Sequence, residues 1–181
     1  STQNGFKRKF GIPVSNFYGC SEAGSPLLDD PRKKNWKPGS IGIASSGYIT
    51  KLLSRGMKEV RTGEIGEIAV KSRAVCMGYF KNSSAFRKSM WHGYFLTGDL
   101  AYKDKRGRYF FADRKKDLII RGGSNIYPGE IDEVLFKHPG VLEACTIGVP
   151  DPLYGESIVT FVAIKKDVSI KDLHAHCAQH L

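Results

Sequence analysis

The stretch FADRKKDLIIRGGSNIYPGEID, residues 111–132, separates two regions of different periodicity, and any fold for this chain must place a boundary inside it. Within it, Asp117 to Arg121 reads as a short β run, Gly122-Gly123 interrupts that run as a loop, and Pro128 opens a helix as the usual first-turn proline. Before it, GSIGIA, GYITKLLS and GEIGEIAVKS are short β-branched runs parted by Gly, Pro and Asn, which predicts a β-rich, barrel- or sandwich-like subdomain. Asp104-Lys105-Arg106-Gly107 supplies a hairpin turn between Leu100–Tyr102 and Tyr109–Phe111. After it, a helix runs from Pro128 toward Pro139-Gly140, VLEACTIGV and SIVTFVAIK read as buried strands, and SIKDLHAHCAQHL reads as a second helix. Ser169 and Asp172 stand at capping-box spacing. The fold class expected is α/β with a β-rich subdomain.

Composition narrows the partners. Lys and Arg number 28 against 18 Asp and Glu, a formal net charge of +10, which favours anions such as nucleic acid, acidic lipid or phosphate-bearing small molecules. The basic clusters sit beside turn residues rather than at helical spacing, as solvated loops do. Cys20, Cys76, Cys145 and Cys177 show no metal-ligand spacing and follow no secretory leader, which points to reduced thiols in the cytoplasm. No apolar run approaches a membrane span, so no transmembrane segment is expected. HAHCAQH gathers His174, His176, Cys177 and His180, but a helical reading turns Ile170, Leu173, Cys177 and Leu181 onto one apolar stripe and sends the histidines elsewhere. Structural zinc needs four converging ligands, so the cluster argues against it.

Three strings carry candidate chemistry. In NFYGCSEAG, residues 16–24, a glycine permits close backbone approach, the Ser21 hydroxyl can donate to an oxygen, and Glu22 is a hard oxygen ligand suited to Mg²⁺. A surface turn would account for the same string. In YFLTGDL, Asp99 ends an aromatic strand after Thr97-Gly98, and an ionised carboxylate accepts two hydrogen bonds side by side, as the vicinal hydroxyls of ribose require. A turn-capping Asp is the plain alternative. In the third, Arg114 presents a planar fork for ribose or phosphate oxygens, with Lys115 and Lys116 as looser point charges. Together the three strings point to a nucleotide.

Their order gives a more specific likeness. FYGCSEAG, GEIGEIAVKSRAVCMGYFKN, WHGYFLTGDLAYKDKRGRYFFADR and DRKKDLIIRGGSNIYPGEID together resemble the C-terminal part of an AMP-forming acyl-CoA synthetase. That enzyme lies in the adenylate-forming superfamily, which also holds firefly luciferase and the adenylation domains of peptide synthetases. The resemblance covers nearly the whole chain. It implies that residues 1–115 are the end of a large N-terminal domain and 116–181 a small, mobile α+β C-terminal domain, truncated before the family's catalytic lysine. It implies ATP or AMP, Mg²⁺ and CoA as cofactors and a carboxylic acid, fatty or aromatic, as substrate. Tyr18 would stack near adenine, Gly19 would border the nucleotide and acyl pockets, Ser21 would contact phosphate where Thr is usual, and Glu22 would hold Mg²⁺. Asp99 would bind the ribose hydroxyls with Arg114 assisting. Lys116 would be the hinge about which the small domain rotates between adenylation and thioester formation, and Gly122 and Gly123 would line the pantetheine tunnel after that rotation.

Two departures matter. Ser21 keeps the hydroxyl of Thr, but the phosphate loop and the C-terminal lysine of the family are missing, so these 181 residues are not expected to catalyse adenylation unaided. The wording IIRGGSNIYPGEID is closer to CoA ligases than to peptide synthetases, which favours CoA over a carrier protein. A nucleic-acid partner is disfavoured, because Phe110 and Phe111 lie inside hairpin strands rather than on an exposed basic face.

Overall fold

The computed structural model describes residues 2–33, 36–165 and 168–181. The chain forms two compact units, Ser1–Phe111 and Ala112–Leu181.

The first unit begins with helix α1 (Thr2–Phe10) and a hairpin of β1 (Asn16–Cys20) and β2 (Gly24–Asp29), to which β3 (Ile43–Ala44) adds as a third strand. A second antiparallel sheet has the order β4 (Ile49–Leu53), β5 (Ile65–Lys71), β7 (Tyr94–Lys103), β6 (Met90–Trp91), with β8 (Tyr109–Arg114) joined to β7. Helix α2 (Ser83–Lys88) leads into β6. The β-rich expectation therefore resolves into two sheets, while both helices went unforeseen. For α2 a signal existed, since the Asn82 side chain accepts the Ala85 amide as an N-cap.

Strand β5 explains where the core sits. Its Gly66 to Val70 are all buried, so the strand is covered on both faces and its apolar residues need not alternate. Ile68, Val70, Leu27, Phe95 and Ala101 form the cluster around it, each of the four larger side chains stabilising the fold by roughly 1.5–3 kcal/mol when fully buried.

The β7–β8 hairpin turns where the sequence predicts, but β7 is much longer than the expected three residues. Asp104 organises the turn: its Oδ1 accepts the Arg106 and Arg108 amides at 2.9 and 3.0 Å, and its Oδ2 accepts the Arg108 guanidinium.

In the second unit, β9 (Ile119–Arg121), β10 (Ser124–Ile126), β12 (Gly155–Ile164) and β11 (Val141–Asp151) form an antiparallel sheet in the order β10-β9-β12-β11, accompanied by α3 (Pro128–Phe136) and α4 (Ile170–His180). Pro128 opens α3 as expected, yet Tyr127 makes no side-chain cap. Asp113 does that work from 16 residues upstream, its Oδ2 accepting the Gly129 amide at 2.9 Å. The capping box of Ser169 and Asp172 is present, both bonds being formed.

Three readings change. Residues 124–126 are a strand rather than a loop, paired with β9 across a two-residue turn. The β11–β12 pair is less buried than its apolar sequence implies, with Leu142 54% and Phe161 63% exposed. Helix α4 does present Ile170, Leu173, Cys177 and Leu181 on one face, but that face borders an open cleft of about 660 Å³ shared with Leu135 and Val162, and His174 lines it too. His176 Nε2 donates to the Val134 carbonyl and His180 Nδ1 to the His176 carbonyl. No helix among the described residues is long and apolar enough to cross a membrane.

Candidate functional site

Two β-bulges position the chemistry of the first unit. Between Tyr18 and Cys20 the register of β1 and β2 shifts, and Gly19 lies at the shift. A Cβ on Gly19 would stand 2.5 Å from the Gly24 carbonyl oxygen, so only glycine lets the two strands approach here. Ser21 and Glu22 then occupy the corner of a turn closed by the Ala23 amide and the Cys20 carbonyl at 3.2 Å, with Ser21 exposed.

The second bulge lies in β7, where Leu96 pairs with Ala69 and Leu100 with Glu67, leaving Thr97, Gly98 and Asp99 opposite Ile68 alone, two residues more than regular pairing allows. Asp99 is thus inside a strand rather than at its end. Each bulged residue is pinned: Thr97 Oγ1 donates to the Ile68 carbonyl at 2.9 Å, the Gly98 amide to Glu67 Oε1 at 3.1 Å, and the Asp99 amide to Thr97 Oγ1 at 3.2 Å. Gly98 has φ +78°, a conformation that a side chain would strain.

The bulges meet through one hydrogen bond. Tyr18 Oη donates to Asp99 Oδ2 at 2.7 Å, joining two motifs 81 residues apart in sequence. The Tyr18 ring is 8% exposed and packs in the core, so burial, opposed by the Thr97 side chain and reinforced by the Asp99 carboxylate, holds its hydroxyl far above the usual phenol range and keeps it a donor. Glu22 has its own hydroxyl partner, because Tyr79 Oη donates to Glu22 Oε1 at 2.7 Å. Burial pushes the Cys20 thiol up, the Ala23 amide pulls it down, and the charges of Glu22 and of Asp99 both add to the upward push. The two carboxylates therefore act on a common neighbourhood. Glu67 and Tyr79 were missed in the sequence, and nothing local marks either as a partner of residues 31 and 57 positions away.

In the second unit, Arg114 ends β8 with its side chain exposed. Lys116 is exposed in a turn closed by the Asp117 amide and the Arg114 carbonyl at 3.0 Å. Gly122 and Gly123, at φ +56° and +85°, form the two central residues of the β9–β10 turn, in which Arg121 pairs with Ser124. The Gly122 amide donates to the Tyr154 carbonyl at 2.8 Å, and the Arg121 guanidinium lies 4.1 Å from the centre of the Tyr154 ring.

The profile of the AMP-binding enzymes matches residues 1–80, and that of the AMP-binding enzyme C-terminal domain matches residues 130–181. The chain belongs to the AMP-binding enzyme family. Among curated relatives, a sulfoacetate–CoA ligase of Cupriavidus necator is 41% identical over 97% of this chain and 35% of its own length. A long-chain-fatty-acid–CoA ligase of Salmonella typhimurium is 37% identical over 91% of this chain and 29% of its own. A solved structure of o-succinylbenzoate CoA synthetase from Bacillus subtilis, with its acyl-adenylate intermediate, is 36% identical over 97% of this chain and 36% of that one, with a TM-score of 0.87. ATP-bound MatB of Rhodopseudomonas palustris is 32% identical over 99% of this chain and 36% of that one, with a TM-score of 0.91. The chain thus spans about a third of the length of these family members, and the mixed α/β fold class expected from the sequence is theirs.

Proposed function

We propose that this chain supplies the ribose-binding, cation-facing and hinge parts of an AMP-forming acid–thiol ligase, which makes an acyl-adenylate from a carboxylic acid and ATP and passes the acyl group to CoA. The observation that carries the reading is the Tyr18–Asp99 hydrogen bond. A carboxylate held at one oxygen by a buried hydroxyl keeps its orientation without losing its charge, and so presents acceptor positions to the 2′- and 3′-hydroxyls of a ribose.

Around that anchor each residue takes a part. Gly19, whose backbone cannot be screened by a side chain, borders the nucleotide, and Tyr18 supports the sugar-binding carboxylate from the core beside the adenine position. The exposed Ser21 hydroxyl donates to phosphate. Arg114 adds its fork to the ribose or phosphate oxygens, and Lys116, in an exposed turn, is the residue whose backbone torsions change when the small domain rotates. Gly122 and Gly123 offer a narrow, side-chain-free turn past which pantetheine can run.

Glu22 fits a nucleotide-borne Mg²⁺. Its Oε2 carries no hydrogen bond among the described residues, and those residues contain no group of three or more acidic, His or Cys side chains able to hold a metal by themselves. Mg²⁺ usually takes one or two carboxylates and completes its shell with phosphate and water, which matches a single Glu. When bound, it would neutralise charge on the triphosphate.

CoA as acceptor is supported by the relatives, several of which are named as CoA ligases, while the acids in those names range from sulfoacetate to long-chain fatty acids. Fatty and aromatic acids are the first to test. Four free cysteines suit a cytoplasmic setting. The reading is tested by acid-dependent pyrophosphate release from the enzyme that carries this chain. Asp99→Ala should raise the KM for ATP by about 10- to 100-fold, the loss of one or two charge-assisted bonds, with the KM for acid little changed. Unaltered ATP affinity would refute it.

A further inference from the structure

The segment after β5 touches Glu22 twice. The Cys76 amide donates to the Glu22 main-chain carbonyl at 2.7 Å, and three residues on, Tyr79 Oη donates to Glu22 Oε1 at 2.7 Å. Tyr79 is itself seated. Its ring meets Phe86 of α2 edge-on at 5.7 Å, and Phe86 stacks at 6.2 Å on Phe95, which is 3% exposed. Its carbonyl accepts the Asn82 amide at 3.1 Å, and Asn82 in turn caps α2. A chain of packed rings therefore runs from the core of the first unit to one oxygen of Glu22.

We propose that Tyr79 is a positioning residue, whose hydroxyl holds Oε1 of Glu22 so that Oε2 is presented to the divalent cation of the bound nucleotide. The proposal rests on the reading of Glu22 given above. The chemistry of the donor matters. A Lys or Arg in this place would orient the carboxylate but cancel its charge, whereas a neutral phenol fixes one oxygen and leaves the full negative charge for the cation. The hydroxyl remains protonated at physiological pH, its hydrogen bond to Glu22 and then burial pushing it up to about 12. Partners that orient a metal's ligands typically change metal affinity or activity by about 10- to 100-fold when removed.

The test uses the enzyme that carries this chain, with Tyr79→Phe, Glu22→Gln and the double variant. Two quantities are read: the Mg²⁺ concentration needed for half-maximal binding of a non-hydrolysable ATP analogue, by calorimetry, and the Mg²⁺ dependence of acid-dependent pyrophosphate release. Phe keeps the ring against Phe86, so an unchanged thermal midpoint is expected. Tyr79→Phe should raise the Mg²⁺ requirement about tenfold without changing the KM for acid, and the double variant should be no worse than Glu22→Gln alone. An unchanged Mg²⁺ requirement in Tyr79→Phe, with a raised one in Glu22→Gln, overturns the role of Tyr79 and leaves the ligase reading intact. If neither variant shifts it, Glu22 does not face the cation and both fall. Should the enzyme release no acid-dependent pyrophosphate, the ligase reading fails while calorimetry still decides the role of Tyr79.

Discussion

Residues 1–111 bury Leu27, Ile68, Ala69, Val70 and Ala101 to 0% exposure, whereas in residues 112–181 Ile119 alone of the described apolar residues reaches that level and α4 buries none of its own. Charge divides the same way: 20 Lys and Arg against 8 Asp and Glu in the first unit, net +12, and 8 against 10 in the second, net −2. The difference bears on the site. On the proposed function Asp99 and Glu22 have to hold fixed directions, and both are tied by hydroxyls within the better-buried, positively charged unit, a setting that favours phosphate. Lys116 and the Gly122-Gly123 pair belong to the looser unit and sit in exposed turns, where backbone torsions can change at small cost.

The sharpest way to break this contrast is a pair of truncations. Ile68→Ala should destabilise the first unit by about 2–5 kcal/mol in urea unfolding, since β5 is covered on both faces. Leu173→Ala beside the open cleft should cost about 1 kcal/mol or less, because little packing is lost there. Equal costs would mean that the two cores are alike. Next in size, Tyr18→Phe takes the donor from Asp99 and should cost about 1–3 kcal/mol of stability, together with weaker nucleotide binding. If binding is untouched, the bond is structural only. Gly123→Ala, at φ +85°, should cost about 1–2 kcal/mol. Its mark should be faster hydrogen exchange confined to β9 and β10, and, on the proposed function, a slower thioester step with adenylation unchanged.

The smallest effect is on pH dependence. Burial pushes the Asp104 carboxyl up, but its bonds to the Arg108 side chain and to the Arg108 and Arg106 amides outweigh this and leave it below the usual value of 3.8. A folded-state value below the unfolded one stabilises the hairpin above pH 3.8, and that contribution fades as pH falls through the folded value. Asp104→Asn should lower the thermal midpoint at neutral pH and flatten its fall below pH 3.8, so that the two proteins converge in acid.

The features legible in the sequence were those whose chemistry is local. Pro128 at the head of α3, the Asp104–Gly107 hairpin and the Ser169–Asp172 capping box each involve partners within a few residues. Helix α1 escaped notice because TQNGFKRKF has no acid in its first turn and a glycine in its middle. Strand β10 escaped because Gly122-Gly123 reads as well as a loop as it does as a tight turn, and only the pairing of Arg121 with Ser124 distinguishes them. Tyr18, Gly19, Ser21, Glu22 and Asp99 could be named from motif order, but the reason Asp99 points where it does lies in Glu67, Ile68 and Tyr18, none of which is adjacent to it.

By itself the sequence determined the residue types of the candidate site, the order of the motifs and the turns and caps that start or stop its elements. These depend on covalent neighbours and on backbone torsions within reach of one side chain. Tertiary structure alone decided which hydroxyl meets which carboxylate, where the bulges fall and how much of the second unit's apolar surface stays exposed. The reason is that a hydrogen bond between residues 57 or 81 positions apart is specified by the packing of the elements and connections around them, and no local preference encodes that distance.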